Sequence, residues 1–355
     1  MPTFSNDDNG NKPLYYLPVT LSANDGNGFQ QKIDFDASTY STYLSSTVSN
    51  INFQDGNGNL LYSWQETHAP TTSSTDVIYW ILLPNSTITT VYIVFVATTE
   101  SSISGTHTGA EPTYSSTYAQ YDNGTSVFTD VYWNYNGTSL PTGTSTLASS
   151  DASISSNNGL SATSGITDSP SFAYIVYTTA LSANSIVESY VTSATAVNFG
   201  GVNYDLAGVS SSSTVGAAST TGNNNFSTYI GASYYNVGGG TQLCLFNNSS
   251  NDFQEESYSF PSKFVFSSSY NEINAYVNYT SYTSTDTYTS SVYMLVGIAS
   301  AGGSAGSPEA GSFGIQWSRS RIYPTNGTMP TLTYGSVTKV STSPPMYSIS
   351  FKLTM

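Results

Sequence analysis

Positive charge is scarce in this chain. Seven Lys and Arg stand in 355 residues against 22 Asp and Glu, a formal net charge of −15. A nucleic-acid binder needs a basic face to displace counterions from phosphates, and seven scattered cations do not build one. The same shortage argues against an anionic membrane surface as partner. Charge of either sign is scarce, at 8% of residues, where an average chain has roughly 25%. Acid unfolds many proteins because ionised, paired carboxylates must be protonated. A fold with few ion pairs has less to lose, so the composition predicts tolerance of acid.

Cysteine is rarer still. Cys244 is alone, which excludes an intrachain disulfide. Its setting, "TQLCLF", predicts a small buried hydrophobe. No apolar run reaches the length of a membrane span; "DVIYWILLP" and "TTVYIVFVA" have the length of strands. The opening "MPTFSNDDNGNKP" shows neither the basic nor the apolar region of a secretory signal. Helix signals are nearly missing, and "ASTYSTYLSS" (37–46) is the best short candidate. The two histidines, His68 and His107, form no HxH or HxxxH pair and read as polar loop residues.

What the chain does have is aromatic and β-branched residues. Aromatics make up 14%, which disordered segments lack. Strand candidates follow one another: 14–22, 31–37, 50–55, 60–68, 76–84 and 89–98, then 171–180, 185–194, 226–237, 241–248, 262–269, 273–283, 290–299 and 313–323, with 346–355 as a last strand or arm. The gaps hold turn sequences such as "NDGNG" and "DGNGN". The pattern predicts an all-β protein, an antiparallel jelly-roll or sandwich. The Ser-, Thr- and Gly-rich stretch 137–170 marks a candidate boundary. It divides the chain into an N-terminal arm (1–12), a first sandwich portion (13–140), a second (141–340) and a C-terminal strand or arm (341–355), with two packed sandwiches as one form of the fold.

Chemistry is harder to find. Sandwich glucanases need carboxylates spaced along one strand to flank a glycosidic bond. Asp34 and Asp36 on one face of "KIDFDA" come nearest, and Glu255 and Glu256 are adjacent, hence on opposite faces of a strand. No catalytic, cofactor-binding or metal residue is assigned. The clusters "NDDNGN", "NDGNG" and "DGNGN" offer oxygen ligands of the kind Ca²⁺ takes, but turn formation alone explains them. Eight N-x-S/T sequons begin at Asn85, Asn123, Asn136, Asn225, Asn247, Asn248, Asn278 and Asn326, candidates for glycosylation in a chain where Asn, Ser and Thr are common. Tyr234 and Tyr235 in "ASYYNVGGG" are candidate glycan contacts, since aromatic faces stack on sugar rings; tyrosine serves equally at subunit interfaces.

Both arginines fall in "FGIQWSRSRIYPTNGTMP" (313–330). Strand alternation puts Trp317, Arg319 and Arg321 on one face, and Gln316, Ser318, Ser320 and Ile322 on the other. Arg beside Trp favours stacking, and two permanent cations in an acidic chain seek carboxylates or carbonyls. The pair reads first as structural or interfacial, and second as a ligand contact.

Several stretches resemble an uncharacterised domain of archaeal and bacterial surface proteins, grouped with concanavalin-like lectin and glucanase sandwiches: "PVTLS", "IDFDAS", "NINFQDGNGNLLYSWQE", "YWILLP" and "TTVYIVF". Further on, "YDNGTSVFTDVYWNYNGTSLPTG", "NNGLSA" and "IQWSRSRIYPTNGTMPTLTYGSV" resemble segments of crenarchaeal cell-surface and virus-associated proteins. After "SLPTG" an aromatic is expected, and this chain has "TSTLAS". The resemblance implies a concanavalin-like fold and a surface setting, and no known chemistry. The expectation is a non-enzymatic protein of the virion surface or an extracellular setting, a turret, spike or capsid-surface component whose partners are copies of itself, other virion subunits and host glycans. A filament or surface-layer subunit and a carbohydrate-binding attachment module are the alternatives.

Overall fold

A computed structural model describes residues 1–26, 28–165, 171–181, 185–196, 202–210, 213, 229–237, 240–247, 250–254, 262–269, 272–277, 280–284, 293–301, 310–325 and 327–341. The C-terminal segment 342–355 lies outside the described residues, as do Asn225, Asn248, Asn278, Asn326, Glu255 and Glu256.

The strands form two sandwiches. In the first, one sheet runs Leu332–Tyr334, Tyr15–Leu21, Thr90–Phe95 and Ile51–Gln54, with Thr338–Lys339 also paired to Tyr15–Leu21. The facing sheet runs Phe29–Phe35, Val77–Leu83, Ser63–Gln65 and Thr108–Ala110. Between them lie Leu17, Val19, Ile33, Phe53, Tyr79, Ile81, Val91 and Ile93, all fully buried. Pairing is antiparallel except between Ser63–Gln65 and Thr108–Ala110, which run parallel.

The second sandwich has two larger sheets. One is ordered Ser153–Ser156, Leu160–Ser164, Gly311–Ile322, Ser185–Ala196, Ser262–Ser269, Glu272–Val277 and Thr280–Ser284, with Val131–Trp133 added to Gly311–Ile322. The other is ordered Ser250–Gln254, Gly240–Asn247, Tyr229–Val237, Val202–Ser210, Tyr293–Ala301, Ser171–Tyr177 and Thr144–Ala148. Val187, Val191, Ile175, Val296, Phe313 and Ile315 belong to its core. The fold is thus all-β, in its two-sandwich form.

Two segments sit differently from the sequence expectation. Residues 332–339, grouped with the second portion, are hydrogen-bonded into the first sandwich through Val19↔Tyr334 and Tyr16↔Thr338. Residues 1–12, expected as an arm, lie along the first sandwich. Asp7 is buried, accepts from the N–H groups of Asn9 and Asn11, and takes the Ser102 hydroxyl at 2.7 Å. Gln54 bonds Ser5 through both of its amide atoms, and Phe4 packs on Tyr16 and Tyr92. The reason is satisfaction of buried polar groups, for which a free arm has no use. Deleting residues 1–12 is therefore expected to lower the thermal unfolding midpoint by several degrees in a melt followed by circular dichroism; a free arm would leave it unchanged.

The run "DVIYWILLP" finds its explanation here. Tyr79 and Ile81 face the first core, while Ile78 and Trp80 face away from it into a further apolar cluster. A strand buried on both faces reads as a continuous apolar run rather than an alternating one. The short helix expected at 37–46 is a 3₁₀ turn over Ala37–Tyr43, capped by Asp36, which accepts from the Ser38 N–H and hydroxyl. Asp36 is therefore a cap, not a strand neighbour of Asp34. Asp34 instead pairs with Lys32 at 3.0 Å.

Candidate functional site

The cluster behind Trp80 is the seam between the sandwiches. Trp64, Ile78 and Trp80 come from the first; Val127 and Phe128 come from the connecting segment; Tyr132 and Trp317 come from the second. Three of the four tryptophans meet here, with Trp317 edge-on to Trp64 at 5.5 Å between ring centroids. Gly124 lets this happen, because a Cβ there would sit 2.3 Å from the Tyr132 ring.

Both arginines are driven into this seam. Arg319 is 0% exposed. Its Cζ lies 4.4 Å from the Phe128 ring, 4.5 Å from Trp317, 4.8 Å from Trp80 and 5.2 Å from Trp64. Its Nη2 donates to Glu66 Oε2 at 2.6 Å, and its Nε donates to Glu188 Oε2. Arg321 donates to Glu188 Oε1 at 3.1 Å and lies 4.6 Å from the Trp80 ring. The Nη1 atoms of both have no hydrogen-bond partner among the described residues, while the guanidinium groups lie against aromatic rings. Burial alone would raise Glu188; the charges of Arg319 and Arg321 outweigh it and hold the carboxyl below its ordinary range.

A local irregularity aims these side chains. Along the pairing of Ser185–Ala196 with Gly311–Ile322, Tyr190 faces Trp317 but Val191 faces Ile315, and the next partners are Ser193 and Gly314. Gln316 and Thr192 are thus extra residues, one on each strand. A bulge moves the following side chains to the opposite face. Before it, Phe313 and Ile315 enter the second core; after it, Trp317 enters the seam, and Arg319 and Arg321 follow. On the released face Ser318 bonds Ser189 and Tyr135 inside the second sandwich.

The double bulge also opens a pocket of about 390 Å³, lined by Glu66, Thr67, His68, Glu111, Thr113, Tyr190, Thr192, Gln316 and Trp317. Tyr190 stacks on Trp317 with centroids 5.6 Å apart and planes 11° apart. Glu111 is 4% exposed. It accepts from the Gln316 amide, from the Thr113 N–H at 2.8 Å and hydroxyl, and meets His68 Nδ1 at 2.8 Å. The site thus combines an aromatic wall, a buried carboxylate and exposed hydroxyls.

The other sequence candidates are placed as follows. Asn123 is buried, and its amide donates to the carbonyls of Thr106 and His107; a sequon locked this way is closed to a glycan in the folded chain. Asn85 and Asn136 are exposed. Asn247 ends the strand Gly240–Asn247. Tyr234 and Tyr235 lie in the paired strand Tyr229–Val237, opposite Asp205 and Tyr204, rather than in a loop. Asp7 and Asp55 use their carboxylates alike, each accepting the N–H two and four residues on and the amide of the Asn four residues on; these loops cap themselves. His107 bonds Asp8 and stacks on Tyr62.

Sequence reading missed Glu66, Glu111, Glu188, Trp64, Trp80 and Tyr190. One signal was available: Glu188 is a lone charge in the otherwise apolar "SIVESYV", and such a charge requires a cation.

The titratable groups divide by sign. Asp8, Asp36 and Asp55 are held low, Asp8 and Asp55 because hydrogen bonds outweigh burial, Asp36 chiefly through Ser38. Asp76 is pushed up to about 6 by the hydrogen bond it shares with Asp34, then by burial and Asp34's charge. Carboxyls held low contribute stability above pH ~4 and lose it only as pH falls through their folded values. A raised carboxyl works the other way: stability is gained as pH falls through its folded value. Asp76→Asn is accordingly expected to stabilise the protein at pH 7.5, to do so by a smaller margin at pH 5, and to leave it nearly unchanged only below the unfolded carboxyl's value near pH ~4, read from unfolding midpoints.

No protein-family model matches the chain. Over 76 residues it is 42% identical to "Uncharacterized protein 562" of Sulfolobus islandicus rod-shaped virus 1, a match covering 21% of this chain and only 13% of that relative's length. Among solved structures it is similar to the catalytic domain of a laminarinase from Thermotoga petrophila (8% identity, 54% of this chain, 95% of that one, TM-score 0.37). Others are a Bacillus licheniformis β-glucanase (14%, 54% and 97%, 0.34) and the carbohydrate recognition domain of Emp47p (14%, 53% and 92%, 0.36). At these identities and TM-scores nothing about chemistry is carried over to this chain. No helix among the described residues is long and apolar enough to cross a membrane.

Proposed function

We propose that this chain is a non-enzymatic structural protein on the exterior of an archaeal virus, a turret, spike or capsid-surface component. The observation that carries the reading is the 76-residue likeness to a protein of an archaeal rod-shaped virus. Composition supports it: a low-charge, all-β body with 14% aromatic residues suits repeated subunit contact in acid. The seam supports it too, since guanidinium groups buried among four rings join two sandwiches into one stiff body. Outward loops with exposed Asn85 and Asn136 meet solvent or host and are the proposed glycan carriers; Tyr234 and Tyr235 are the proposed glycan contacts.

Immunogold electron microscopy of infected cells and purified particles tests the reading. Label on particle surfaces is the expected result. Label confined to host filaments or the cell envelope would replace it with the filament or surface-layer reading. Peptide mass spectrometry of the same particles should find glycan on Asn85 or Asn136 and none on Asn123.

A further inference from the structure

We propose that the pocket at the double bulge binds an organic ammonium group, of the kind carried by a polyamine or a lysine side chain. The first argument is a charge count. Glu66, Glu111 and Glu188 meet at the seam with two guanidinium groups. Arg319 bridges Glu66 and Glu188, and Arg321 bonds Glu188. Glu111 keeps only an amide, a backbone N–H, a hydroxyl and the imidazole of His68. A carboxylate at 4% exposure with no permanent cation beside it is a costly arrangement, and a cation entering the pocket relieves it.

The second argument is shape. Gln316 and Thr192 are the bulge residues, and both line the cavity of about 390 Å³, large enough for an alkyl chain ending in an ammonium. The Tyr190 ring, backed by Trp317, supplies the aromatic wall that attracts such a cation. The third is access. The His68 side chain is 61% exposed, so it can swing off Glu111 Oε1 and leave that oxygen to a ligand N–H. The net charge of −15 draws cations toward the chain.

Titration calorimetry of the full chain with n-butylammonium, spermidine and Nα-acetyl-lysine amide tests this, with n-butanol and glucose as neutral controls. The ammonium compounds are expected to bind and the controls not. Glu111→Gln should weaken binding at least about tenfold, and Thr192→Trp, which fills the mouth from an exposed position, should abolish it. His68→Ala should leave binding intact or tighten it. The tighter of spermidine and the lysine derivative identifies the source of the ligand. The proposal is overturned if no ammonium compound binds, if a neutral control binds equally, or if Thr192→Trp binds as the wild type does. That last outcome would mean diffuse attraction to the acidic surface, and it remains decisive should Glu111→Gln fail to fold.

Discussion

Arg319→Ala is expected to lower folding stability by about 3–5 kcal/mol, the usual cost of removing one partner from a buried ion pair. Arg319 and Glu188 are both 0% exposed, so deletion strands the Glu188 carboxylate with Arg321 alone and takes the cation from Glu66. It also empties a cage of four rings whose spacing was set by the guanidinium. Denaturant midpoints measure the loss. Tryptophan fluorescence gives a second readout, because Trp64, Trp80 and Trp317 all sit at the seam. In the variant the fluorescence transition should precede the circular-dichroism transition, as the joint opens before the sandwiches melt. The deficit should narrow toward pH 4. Glu188 is held low by the two arginines; with one removed its carboxyl rises, and protonation then relieves the unpaired charge. Arg319→Met combined with Glu188→Leu should recover much of the loss, since an apolar pair of similar volume often replaces a buried ion pair without penalty. A single-variant cost under about 1 kcal/mol, the range of exposed pairs, would show that the arginines do not hold the seam.

The grouping of Trp317, Arg319 and Arg321 on one face followed from period-two alternation, and they do share a face. Which face it is did not follow. Alternation continued from Phe313 and Ile315 would send the arginines into the second core. The bulge at Gln316 and Thr192 reverses the parity, and nothing in "GIQWSRS" announces a bulge, because any residue can be the extra one. The all-β architecture was readable for the opposite reason: strand length, turn chemistry and aromatic content agree along the whole chain. The return of 332–339 to the first sandwich was hidden because a three-residue strand carries no periodicity of its own. The docking of residues 1–12 depends on single hydrogen bonds made by Asp7 and Gln54 across 49 to 95 positions, a separation at which local pattern is silent.

Asp122→Ala is expected to cost about 3 kcal/mol or more, for a different reason. The Asp122 carboxylate ties both sandwiches to the segment between them. Its Oδ1 accepts from Trp64 Nε1 at 2.8 Å and the Gly124 N–H at 2.9 Å, and its Oδ2 from the Tyr132 hydroxyl at 2.8 Å and Asn134 Nδ2 at 2.9 Å. Alanine leaves four donors without an acceptor, and each buried unsatisfied donor costs about 1–3 kcal/mol; relaxation and water recover part of the sum. Asp122→Asn separates charge from hydrogen bonding, because it keeps the shape but turns one acceptor into a donor facing other donors. Burial pushes the Asp122 carboxyl above its ordinary value despite the four donors. The folded state therefore takes up a proton before the unfolded state does, and this group adds stability as pH falls through its raised value. Asparagine cannot do so, so the gap between wild type and Asp122→Asn should widen as pH is lowered from neutrality through that raised value. A gap that narrowed would mean that the carboxylate's charge, rather than its four bonds, holds the joint. That result would also remove one of the two carboxyls raised among the described residues, Asp76 and Asp122, from the grounds for expecting acid tolerance beyond mere scarcity of charge.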